Sequence, residues 1–91
     1  MYKIIYSESY LKSASRFIKK YPNLEKQYTK SLMLLELNPY HPSLRLHKLK
    51  GKHKDLYSIS INIAFRLLII FLIKNNEIYP VSVGPHDEIY L

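Results

Sequence analysis

Arg66 is the residue whose setting most invites a chemical reading. It stands inside Ile63 to Ile73, a run that is otherwise apolar, where a charge needs a partner or a route to solvent. The residues alone leave two outcomes open. One is an ion pair with Asp87 or Glu88; the other is a guanidinium turned outward, whose fork of donors matches two oxygens of an anion at once. His86 follows Gly84-Pro85, a break that presents its ring at the end of a strand. Histidine suits acid–base work because its ordinary pKa is about 6.5. His47 is the next candidate for a base or a second cation. His41 and His53 read as loop residues.

Beside these lies a basic stretch. Lys48, Lys50, Lys52 and Lys54 alternate, so in an extended chain they project to one side. Residues 41–60 carry five basic side chains against one acidic, within a chain whose net charge is +7. A polyanionic partner, nucleic acid or an acidic protein, fits such a surface. A solubilising edge strand guarded by lysines has the same composition. Other chemistries lack their residues. There is no cysteine, and no His-x-x-x-His helix pair accompanies the four histidines, so no metal or cofactor is expected. A Gly-rich phosphate loop, a Ser/His/Asp set and paired carboxylates of the glycosidase kind are also missing.

The elements that must position these groups follow from periodicity. The chain has 91 residues, 47% of them hydrophobic, enough for one small core and too few for two. We expect a single domain over 1–91, soluble and cytoplasmic, since the apolar run 63–73 is about half a membrane span and the N-terminus does not read as a signal peptide. Tyr2 to Tyr6 reads as a short strand. Ser7 then caps a helix with Tyr10, Leu11, Ala14, Phe17, Ile18 and Tyr21 on one stripe. Pro22 opens a second helix with Leu24, Tyr28, Leu32 and Leu35 inward, and Asn38-Pro39 stops it. So short a link makes the pair an antiparallel hairpin.

Four strands follow. Leu44 to Leu49 is the first and ends near Gly51. Leu56 to Ile61 alternates serine with larger residues, the pattern of a strand with one wet face. After a turn at Asn62-Ile63-Ala64, Phe65 to Ile73 is apolar on both faces, as a covered central strand is. Lys74 to Glu77 turns the chain into Ile78 to Val83. The expected class is α+β: an N-terminal strand and a helical hairpin on one face of a mainly antiparallel sheet, in the order β-α-α-β-β-β-β.

That order resembles the RelE/ParE superfamily of bacterial toxins. The stretch His47-Lys48-Leu49-Lys50-Gly51 looks like the family's H-x-L-x-G turn. Phe65-Arg66-Leu67-Leu68-Ile69 is similar to its Y-R-L-I-Y strand, and Val83-Gly84-Pro85-His86-Asp87-Glu88-Ile89-Tyr90 to its G-x-H-x-x-x-Y ending. The resemblance covers nearly the whole chain. It implies one half of a toxin–antitoxin pair, with an acidic antitoxin as partner in a hetero-oligomer. For the catalytic branch it implies a metal-independent endoribonuclease that cuts messenger RNA on the ribosome. Cutting by attack of the 2′-hydroxyl needs a base, a cation at the phosphate and an acid for the leaving 5′-oxygen. On that reading Arg66 faces the phosphate, His86 is the acid, and His47 or a lysine from 48–54 assists. Tyr90 stacks on a nucleobase, and Lys48, Lys50, Lys52 and Lys54 hold the RNA backbone. The strand Tyr57-Ser58-Ile59-Ser60-Ile61 departs from RelE-type members, which carry lysines there. The ending favours relatives of the YoeB and YafQ kind. The ParE branch acts on DNA gyrase without cleaving RNA, and an inactive relative that only binds its antitoxin keeps the same frame.

Overall fold

A computed structural model of the chain describes residues 1–89. Ser7 caps the first helix, its hydroxyl accepting from the Tyr10 N–H at 3.0 Å. Helix α1 runs Glu8–Lys20 and places Tyr10, Ala14 and Phe17 inward, the spacing of one helical face. Leu11, read as part of that stripe, is instead 51% exposed. Pro22 starts a 3-10 turn, Pro22–Leu24, that leads into α2, Glu25–Leu37. The Asn38 N–H bonds to the Leu34 carbonyl, and Pro39 prevents a further turn.

The strands form one five-stranded sheet in the order β1-β5-β4-β3-β2. Strand β1 is Lys3–Ile4 and pairs parallel with β5, Glu77–Pro85. The sheet is therefore mixed, with every other pairing antiparallel. Strand β2 is His47–Lys48, shorter than the expected 44–49, because Pro42–Leu44 closes into a 3-10 turn that buries Leu44. Strand β3 is Tyr57–Ser60 and β4 is Phe65–Leu72. After β4 a 3-10 turn, Ile73–Asn75, passes through Asn76 in the left-handed region, a conformation asparagine tolerates. One element was not expected from sequence: a single-turn helix α3, His86–Ile89, after Pro85.

The hairpin covers one face of the sheet. Tyr10, Phe17, Tyr28 and Leu35 meet Ile59, Leu67, Ile69 and Ile78 in a continuous core. The Tyr10 and Tyr28 hydroxyls share a buried hydrogen bond of 2.6 Å. Burial first, then that bond, pushes the Tyr10 phenol far above the usual tyrosine range, so it stays neutral and joins the two helices. Ile69 is fully buried at the middle of β4. Ile69→Ala should cost about 2–5 kcal/mol by the cavity it leaves. In a domain this size each kcal/mol lowers Tm by about 4–8 °C, readable by thermal melting. A loss below about 1 kcal/mol would place the core's centre elsewhere.

The opposite face differs from its sequence reading. By alternation it carries Ser58, Ser60, Arg66, Leu68 and Gly84. The serines were expected to be wet, yet Ser58 is 0% and Ser60 8% exposed. On the neighbouring strands of this face, α3 folds back against β5 and β4. The expectation that β4 is covered on both faces holds only over Leu67, Leu68 and Ile69, since Ile70 and Leu72 are exposed.

Candidate functional site

The turn between β3 and β4 organises the site. Asn62 Oδ1 accepts the N–H groups of Ala64 and Phe65, each at 2.9 Å, a side-chain turn that needs no glycine. The turn's carbonyls then serve two neighbours. Arg66 Nη1 donates to the carbonyls of Asn62, of Ile63 at 2.8 Å and of Phe65 at 3.1 Å. The His86 N–H donates to the Ala64 carbonyl at 2.8 Å. Four consecutive carbonyls, 62 to 65, thus fix both the arginine and the start of α3.

Arg66 is anchored through one of its nitrogens. Among the described residues Nη2 and Nε carry no hydrogen bond, so two of the guanidinium's donor positions remain for a ligand. Its anchors are carbonyls, and no ion pair with Asp87 or Glu88 is present among the described residues. That corrects the structural ion-pair alternative. Arg66 stands between Ser60 and Gly84 in register, on the face away from the helical hairpin.

Gly84 has a steric role that its place in a motif did not reveal. A Cβ there would lie 3.0 Å from the Ile89 methyl Cγ2, closer than side chains normally pack. The missing side chain lets α3 lie against the sheet beside Arg66. His86, at the first position of α3, keeps its ring 52% exposed, with Nδ1 at 3.5 Å from Asp87 Oδ1. So exposed a pair adds little to stability, and the ring remains accessible.

His47 sits on β2 directly across from Ser58, hence on the same face as Arg66. Two strand spacings and one two-residue step separate their Cα atoms, roughly 12 Å. Its Nδ1 lies 3.0 Å from the Arg45 carbonyl. A carbonyl can only accept, so the neutral ring carries its proton on Nδ1 and keeps a lone pair on Nε2. That is the tautomer a base requires.

The basic stretch is not laid out as expected. Only His47–Lys48 is strand; Gly51, at φ +68°, begins a 3-10 turn, Gly51–His53, and Lys54 is helical. Alternation along an extended chain therefore does not apply, and Lys48, Lys50, Lys52 and Lys54 do not form a one-sided ridge. Lys48 pairs with Tyr57, on the hairpin side of the sheet, although all four lysines are exposed. His41 is a cap: its Nδ1 accepts from the Ser43 N–H and hydroxyl at 3.2 and 2.8 Å. His53 turns its Nε2 inward. Tyr90 lies outside the described residues. Among the described residues no cluster of three or more His, Asp or Glu is placed to hold a metal, and no helix is long and apolar enough to cross a membrane.

A scan against protein-family models finds no match, and a search of curated proteins finds none either. Solved structures do match, over nearly the full chain. YafQ from E. coli strain BL21(DE3) gives a TM-score of 0.79 at 16% identity, covering 100% of both chains. A metal-bound toxin from Helicobacter pylori gives 0.76 at 26% identity, covering 98% of this chain and 99% of its own. A chain of the YoeB–YefM complex from Staphylococcus aureus gives 0.71 at 22% identity, covering 94% and 98%. With its helical hairpin, its mixed five-stranded sheet and a match over nearly its full length, the chain has the fold of these toxins.

Proposed function

We propose that this protein is the toxin of a toxin–antitoxin pair and cuts messenger RNA on the ribosome. The observation that carries the reading is the pairing of Arg66 and His86 on one turn. Consecutive carbonyls hold one nitrogen of the guanidinium, whose other nitrogens carry no hydrogen bond among the described residues, and the backbone N–H of His86, whose ring is half exposed; His47 lies on the same face. In the reaction, His47 Nε2 takes the proton of a 2′-hydroxyl, and that oxygen attacks the adjacent phosphorus. Arg66 holds the non-bridging oxygens as their charge grows. His86 gives a proton to the 5′-oxygen as its bond to phosphorus breaks. The products are a 2′,3′-cyclic phosphate and a free 5′-hydroxyl. Tyr90 stacks on a base beside the cut, and Lys48, Lys50, Lys52 and Lys54 make separate backbone contacts from loop and edge rather than one ridge.

The partner follows from the same frame. A chain of net charge +7 attracts an acidic protein at long range, and the Staphylococcus aureus neighbour is a chain of a YoeB–YefM complex. We assign this chain a short acidic antitoxin, bound so as to cover the surface around Arg66 and His86. A second reading, a gyrase poison, draws on one observation: the strand facing Arg66 offers Ser58 and Ser60 where RelE-type relatives place lysines. Induction of the protein alone separates the two. Growth arrest with discrete cuts inside translated messages, mapped by primer extension, is the expected result. Arrest with intact messages and broken DNA would replace the nuclease with the gyrase reading, and unaffected growth would remove both.

A further inference from the structure

A polar cleft of about 340 Å³ opens beside the β3–β4 turn, lined by Gln27, Ser43, Arg45, Ser60, Asn62 and Ile63. It adjoins the site already described. Ser60 stands across from Arg66 in register, and the carbonyls of Asn62 and Ile63 are two of the three that hold the Arg66 guanidinium. The cleft's lining contains one cation and no acid. Its other groups are weighted towards donors. Asn62 spends its Oδ1 on two backbone N–H groups, so its amide N–H groups are what it offers a ligand. Gln27 and Ser60 add an amide and a hydroxyl.

Arg45 is the unusual member. It has φ 50° and ψ 45°, the left-handed region, which costs any residue with a Cβ and suits glycine. The backbone is held there locally. The Arg45 N–H donates to the Pro42 carbonyl at 3.2 Å, and His47 Nδ1 bonds to the Arg45 carbonyl. Neither contact uses the side chain. What arginine adds at this strained position is an exposed guanidinium at the cleft.

We infer that this cleft is a second nucleotide subsite, in which Arg45 binds a phosphate neighbouring the one held by Arg66 and the amides of Gln27 and Asn62 contact the attached nucleoside. The inference rests on the RNA-cleaving reading and extends it. A single strand crossing from Arg66 past Ser60 reaches the cleft within one strand spacing, about 5 Å. Two arginines would then fix the direction of the RNA through the site, which one phosphate contact cannot do. The His47 ring, bonded to the Arg45 carbonyl, is positioned from the same residue.

Arg45→Gly tests the inference because it removes the cation and relieves the strain together. The ¹⁵N-labelled full chain is titrated with a 2′-O-methylated RNA tetranucleotide of mixed sequence, which attack by a 2′-hydroxyl cannot cut. We expect amide shifts at Ser43, Arg45, Ser60, Asn62 and Arg66 in the wild type. Arg45→Gly should bind several-fold more weakly, with a log–log salt slope shallower by roughly 0.7, the share of one phosphate on a single strand. Its Tm should be equal or higher. Arg45→Lys should keep most of the slope. Unchanged affinity in Arg45→Gly, with binding weakened by Arg66→Ala, overturns the subsite and leaves the proposed function standing. A wild-type chain that does not bind the RNA overturns the subsite along with the reading beneath it.

Discussion

Arg66→Ala should lower the rate of messenger cleavage by about 10²–10³, the usual consequence of removing one donor aimed at growing negative charge, while leaving a folded protein. Both halves of that expectation come from the geometry. The guanidinium anchors through Nη1 to three carbonyls of the 62–65 turn, and hydrogen bonds to a charged group contribute about 1.5–3 kcal/mol. The bonds to Asn62 and Ile63 are exposed, so water replaces the donor when the side chain is cut back. The net loss of stability should therefore be about 1 kcal/mol, a few degrees in Tm. The turn keeps the Asn62 side-chain bonds and the contact from the His86 N–H. Arg66→Lys separates charge from shape. An ammonium can satisfy the carbonyls, but it cannot also present a planar fork to a phosphate, so this variant should fold like the wild type and recover only part of the rate. Melting curves and single-turnover cleavage on programmed ribosomes give the two readouts. A loss of more than about 3 kcal/mol in Arg66→Ala would make the arginine a structural brace of the turn, on the scale of a broken buried network. Wild-type cleavage by that variant would remove its phosphate role.

The fold was legible where a local signal and a tertiary need agreed. Ser7, Pro22 and Asn38-Pro39 mark helix ends through groups that act within three or four residues, and the structure uses each in that way. The core followed from helical spacing in α1 and α2, except at Leu11, where the stripe is wider than the face the sheet covers. What failed depended on distant contacts. Ser58 and Ser60 look like the wet side of a strand, and nothing near them announces that their face is covered. The lysine alternation implied an extended chain, but Gly51 at positive φ turned it into a helical turn. The parallel pairing of Lys3–Ile4 with β5 joins residues more than 70 positions apart, and neither strand's pattern encodes it.

The candidate site divided in the same manner. Arg66 stood out because a charge in an apolar run is conspicuous, and the structure anchors one of its nitrogens to the carbonyls of the neighbouring turn. Asn62 was visible only as part of a turn, although its side chain makes the scaffold on which Arg66 and His86 rest. Gly84 was visible as a motif letter, and its steric reason lies in Ile89, whose methyl a Cβ at Gly84 would crowd. Arg45 carried no local signal at all. A left-handed arginine looks like any other arginine in sequence.

His86→Ala should lower cleavage by about 10²–10⁴, the range for a lost general acid, with almost no cost in stability. The structural half is direct. The bond that seats α3 on the turn comes from the backbone N–H of residue 86, which alanine retains, and the side chain is 52% exposed. Loss of rate alone does not identify an acid, because a ring that merely contacts the substrate would lower it too. The leaving group discriminates. Replacing the bridging 5′-oxygen at the cut with sulfur gives a leaving thiolate, which departs without needing a proton. If His86 donates that proton, His86→Ala should cut the sulfur-bridged message at close to the wild-type rate, while remaining slow on the oxygen-bridged one. His47→Ala should stay slow on both, since a base acts on the 2′-hydroxyl whatever leaves, and Arg66→Ala should also stay slow on both. Rescue of His47→Ala in place of His86→Ala would exchange the two roles. A His86→Ala variant equally slow on both substrates would reduce His86 to a contact, and the proton would have to come from elsewhere on the ribosome-bound message.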